Sequence, residues 1–211
     1  MGIALHKKKT SHSTLMTEGS IWKHILFFSI PLILGNMLQQ LYNTVDSIVV
    51  GNFLGSEALA AVGSSSSLIM LLISFSMGAA AGAGVIVSQF IGAQNKKGIH
   101  ESVHTALAIA LILGDVLTAA GLILSPQILR WMGTPEEVMP QSITYLRLYF
   151  AGVIFSILYN MASGILNAVG NSKRALLYLA IASFTNIILD LLFIPVLKMG
   201  IAGAAIATDI S

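Results

Sequence analysis

The sequence predicts an all-α, polytopic membrane helix bundle with five full transmembrane helices, an incomplete sixth and a cytoplasmic N-terminus. Three observations lead there. Apolar residues make up 55% of the 211-residue chain and charged residues only 9%, whereas an ordinary soluble domain is about 25% charged. The apolar residues come in long blocks, and about 20 of them at 1.5 Å each span a ~30 Å hydrocarbon core. Lysine and arginine concentrate in alternate loops, the asymmetry expected of cytoplasmic connections. The net charge of +2 is too small for a nucleic-acid footprint. Without cysteine the chain has no disulfide, thiol catalysis or thiolate metal site. The histidines, His6, His12, His24, His100 and His104, make no metal-binding cluster within a helix.

Residues 1–20 are polar and basic, with Lys7, Lys8 and Lys9, and read as a cytoplasmic tail. They mimic the start of a signal peptide. The apolar stretch that follows is too long for one, contains Asn36, Gln39, Gln40 and Asp46, and lacks a small-residue cleavage site. Full spans are expected at 25–50, 59–87, 102–124, 142–166 and 175–194. A sixth begins near Gly200 and reaches Ser211. A helix of that length covers only roughly 17 Å, so a fragment of a longer protein is expected. Lys23 precedes the first span, Lys96 and Lys97 the third, and Lys173 and Arg174 the fifth. The opposite loops hold only Arg130 and Lys198, with Arg147 near a helix end. A tight outer connection is expected at 52–57. A longer outer loop is expected at 125–141, around Pro126, Pro135 and Pro140.

The polar residues inside these spans carry the functional reading. On the first helix Asn36, Gln39, Gln40, Asn43 and Asp46 recur at helical spacing, and side chains three, four and seven apart share a face. For Asn36 and the glutamines, helix–helix hydrogen bonding is the competing explanation. Asp46 differs, because an ionised carboxylate at depth costs at least ~2.5 kcal/mol and needs a partner, a proton or a cation. On the fifth helix Asn186 and Asp190 lie one turn apart, with Ser183 extending the face; Thr208 and Asp209 follow on the sixth. Counting from the outer ends places Asp46 roughly 9 Å deep, Asp190 roughly 8 Å and Thr208 roughly 12 Å. Two carboxylates, an amide and a hydroxyl in one layer suit a proton or a hard cation such as Na⁺. They read as the ion-coupling residues of a secondary transporter rather than an enzyme active site. Pro31 permits a bend in the first helix. Gly78, Gly82 and Gly84 suggest close helix packing on the second. Tyr145 and Tyr149 open the fourth helix at the outer side. Asp115 on the third helix is a further acid for which spacing names no partner.

The run "IPLILGNMLQQLYNTVDSIVVGNFLGSEALAAVG", the "NIILD" of the fifth helix and the "GIAGAAIAT" of the sixth resemble the multidrug and toxic compound extrusion (MATE) transporters, from about Ser20 onward. The resemblance implies twelve helices in two lobes and export of drugs or organic cations across the cell membrane by exchange with Na⁺ or H⁺. It casts 21–211 as the N-terminal lobe, without its C-terminal partner lobe. It further implies a cation site of Asp46, Asn186, Asp190 and Thr208. Tyr145 is similar in placement to a fourth-helix tyrosine of the family and Pro31 to its first-helix proline. Gln39 and Asn43 would support or gate the site. No cofactor is implied beyond Na⁺ as coupling ion. Three alternatives remain. A lipid-linked oligosaccharide flippase would need cavity cations for phosphate, and the spans offer little beyond Arg147. An intramembrane aspartyl protease would need a Gly-x-Gly-Asp signature, whereas Asp115 follows Ile112, Leu113 and Gly114. The last is a non-transporting membrane fragment.

Overall fold

The structure is a computed structural model that describes residues 21–211. The basic tail with Lys7, Lys8 and Lys9 lies outside the described residues. Every regular element among those residues is helical. Five long helices follow one another: α1 (Ile21–Leu54), α2 (Ser56–Gly92), α3 (Lys96–Trp131), α4 (Met139–Ala168) and α5 (Ser172–Leu191). A π-helical turn, Leu192–Val196, closes α5, and α6 (Ile201–Ile210) ends the bundle. Among the described residues, α2, α3, α4 and the continuous Ser172–Val196 are long and apolar enough to cross a membrane. The expected first span, 25–50, falls within α1. That helix is 34 residues long. Large apolar side chains such as Met70 and Ile123 stand more than two-thirds exposed. A soluble surface avoids such display in quantity, and a bilayer absorbs it.

The helices outrun the expected spans because the punctuating residues do less than they suggest. The 52–57 connection shrinks to Gly55, held at φ 87° between α1 and α2; only glycine adopts that conformation without strain. The expected loop at 125–141 is also corrected. α3 runs through Pro126 to Trp131 and α4 begins at Met139, leaving 132–138 as the loop. Pro140 sits in the first turn of α4, where its missing N–H costs nothing. Pro126 deprives the Leu122 carbonyl, four residues back, of its helical donor. Arg147 of α4 supplies one instead: its Nε–H donates to the Leu122 carbonyl oxygen at 3.1 Å.

α4 is the central helix, packed against α2 and α3 and also against α6, while α1 leans chiefly on α5. One core joins α2, α3 and α4 around Leu72, Ala110, Leu129, Leu146, Phe150 and Ile157. A second joins α1, α2, α4, the π-helical turn and α6 around Val50, Val62, Tyr145, Ile194 and Ala204. Small residues set the spacing. The Phe150 ring fills the place where a Cβ on Gly121 would stand, and a Cβ on Gly114 would lie 2.6 Å from Ile154. Of the small-residue surface expected on α2, Gly84 and the neighbouring Ala80 pack against Gly164 of α4: the Gly84 Cβ position lies 3.2 Å from the Gly164 carbonyl oxygen, whereas Gly78 and Gly82 meet nothing within 4 Å.

Candidate functional site

A cavity of about 580 Å³ opens between α1, α2, α4, α5 and α6, with Ile69 and Ile73 lining it from α2. The α1 wall is Gln39, Tyr42, Asn43 and Asp46, residues whose 3–4 spacing turns one face of the helix toward the same space. From α4 come Tyr145, Tyr149, Gly152, Ser156 and Tyr159; from α5, Ser183 and Asn186; from α6, Thr208 and Asp209. Asn36 and Gln40 stay on the exposed side of α1, outside the cavity lining. Pro31 is buried within a continuous α1, outside the cavity.

Asp190 lies behind the wall, fully buried, with its carboxyl in hydrogen-bonding reach of the Asp46 carboxyl. Two carboxyls hydrogen-bond only when one of them carries a proton. If both are ionised, neither donates. Both Asp190 oxygens, Asp46 Oδ1 and both amide atoms of Asn186 then have no hydrogen-bond partner among the described residues. Buried polar atoms are rarely left so. Thr208 donates its hydroxyl to the Ala204 carbonyl oxygen at 3.0 Å, which leaves its lone pairs free to accept. Tyr145 is 5% exposed and sits in electrostatic reach of Asp46, Asp190 and Asp209. The donor set is oxygen and amide, which fits a proton or a hard monovalent cation better than a transition metal. Among the described residues no three His, Cys, Asp or Glu gather as a metal cluster.

Two acids that spacing left open separate clearly. Asp115 is exposed on α3, away from the cavity. Asp209 lines it, and its carboxyl occupies the space that a side chain on Gly152 would need. The cue in the sequence, a glycine on one helix opposite an acid on another, has no local spacing and becomes readable only when α4 and α6 are in contact. Arg147 lies outside the cavity, and the charged residues lining it are both acidic, Asp46 and Asp209.

Fold and cavity together define a multi-pass helical membrane protein built around an acidic cavity. The MatE family model matches residues 31–192, and the chain belongs to the MatE family. It is 38% identical over 195 residues to the probable multidrug resistance protein YpnP of Bacillus subtilis, a match covering 92% of this chain and 44% of YpnP. It is 37% identical to the probable multidrug resistance protein YoeA of the same organism, over 96% of this chain and 46% of YoeA. Among solved structures, a MOP superfamily transporter from Pyrococcus furiosus superposes with a TM-score of 0.89 at 35% identity, covering 96% of this chain and 45% of that one. The chain spans about half the length of the relatives it matches.

Proposed function

We propose that the chain forms the N-terminal, ion-coupling lobe of a secondary transporter that exports drugs or organic cations in exchange for Na⁺ or H⁺. The observation that carries this reading is the facing pair Asp46 and Asp190, with Asn186 and Thr208 beside it on the wall of a cavity large enough for a small molecule. Buried carboxylates in a membrane mark ion pathways because their charge must be compensated. A proton or Na⁺ between them satisfies atoms that otherwise lack partners. Its release leaves two like charges at close range and favours a rearranged α1, so the ion binds the two arrangements with different affinity. Gln39 and Asn43 would supply polar contacts on the approach, and Pro31 the bend. The drug-resistance names of YpnP and YoeA support the substrate class. The flippase reading is disfavoured because, among the described residues, no lysine or arginine lines the cavity.

The test is efflux of a fluorescent organic cation from vesicles containing the complete transporter, under imposed pH or Na⁺ gradients. Gradient-driven efflux that disappears in Asp46→Asn and Asp190→Asn supports the reading. Efflux in both variants with wild-type ion dependence would refute it.

A further inference from the structure

The cavity has a second acidic feature that the coupling pair does not use. Asp209 projects from α6 into the cavity on the face opposite Gly152 of α4. Its carboxyl fills the position of the absent Gly152 side chain, so α4 and α6 hold it by close packing. Asp46 and Asp190 face each other across α1 and α5, whereas Asp209 of α6 packs against Gly152 of α4. Tyr145 is buried on the wall of the same cavity. The cavity as a whole is also aromatic: Tyr149, Phe155 and Tyr159 of α4 and Tyr42 of α1 line it together with Asp209. No cation among the lining residues balances the carboxylate.

A carboxylate in a cavity lined by aromatic rings attracts a lipophilic cation in two ways, by direct charge and by the negative faces of the rings. A strongly hydrated small ion gains little from the rings, so the cavity suits a bulky ammonium or phosphonium group. The geometry points to Asp209 as the charge partner of the transported organic cation, separate from the ion-coupling pair and determining preference for positive over neutral or negative substrates. This rests on the exporter reading above and assigns one of its functions to a residue outside the coupling site.

The probes are tetraphenylphosphonium, tetraphenylborate of the same shape and opposite charge, and neutral triphenylphosphine oxide. Binding is measured to the purified protein in lipid nanodiscs, with empty nanodiscs subtracted. Wild type is expected to prefer tetraphenylphosphonium over tetraphenylborate. Asp209→Asn should weaken tetraphenylphosphonium by about tenfold or more and leave triphenylphosphine oxide where it was. Gly152→Ala, which displaces the carboxyl without removing it, should shift the phosphonium in the same direction. Unchanged phosphonium affinity in Asp209→Asn overturns the assignment while leaving the exporter reading intact. Equal loss of the cationic and neutral probes also overturns it, as the signature of a structural role. A wild-type protein without preference for the cation removes the organic-cation reading of the cavity itself.

Discussion

At the scale of single residues, the acids sort by what compensates them. Asp190 is buried completely against Asp46, and its replacement by Asn keeps volume while removing the charge. Asp190→Asn is therefore expected to abolish ion-coupled efflux with membrane expression equal to wild type, because the amide relieves a desolvation cost. Asp46→Asn should behave alike, and the double variant should be no worse than either single one. Efflux normalised to membrane protein, at several pH and Na⁺ values, checks this. A purely structural role predicts lowered expression with normal efflux per molecule. Much of this cluster was legible in the sequence: Asn186 and Asp190 one turn apart, and Asp46 on a polar face, follow from helical period alone. The order of burial was not. Which acid lies behind the wall and which lines it depends on how α1 meets α5, and no spacing within one helix encodes that.

At the scale of the element, prolines and glycines decide more than hydropathy does. Pro126 suggested a loop, yet α3 continues because Arg147 supplies the donor that the proline lacks. The two residues should therefore be coupled. Arg147→Ala should lower stability by about 0.5–2 kcal/mol, and the loss should shrink in a Pro126→Ala background, where the Leu122 carbonyl regains its helical donor. Thermal unfolding of wild type, the two single variants and the double variant in detergent measures the interaction, and additive losses would exclude the coupling. The glycines of α3 and α2 make a second contrast. Gly121→Ala drives a methyl into the Phe150 ring and should cost about 1–3 kcal/mol. Gly82→Ala meets nothing within 4 Å and should be neutral or stabilise by about 0.5–1 kcal/mol through helix propensity. From the sequence these glycines were equivalent, since a small residue reveals that something approaches but not what.

At the scale of the whole molecule, the long-helix arrangement was readable from apolar blocks, and the helix ends were not. Membrane orientation rests on the lysine asymmetry. Cysteines introduced at Lys96 and Lys173 are expected to resist an impermeant thiol reagent in intact cells and to react after permeabilisation; labelling from outside would invert the topology. The single-residue link at Gly55 bears on how such a bundle could move. Consecutive Cα atoms are only ~3.8 Å apart, so the outer ends of α1 and α2 are yoked, and neither helix can slide far along its axis without drawing the other. Any large excursion of α1 must then be a swing of its opposite arm, the part that holds Pro31, with Asp46 near the pivot and the cavity-lining residues Gln39 and Asn43 travelling progressively farther from it. A lever fastened at one end converts a small change at the carboxyl pair into a wide displacement at the inner end of the cavity.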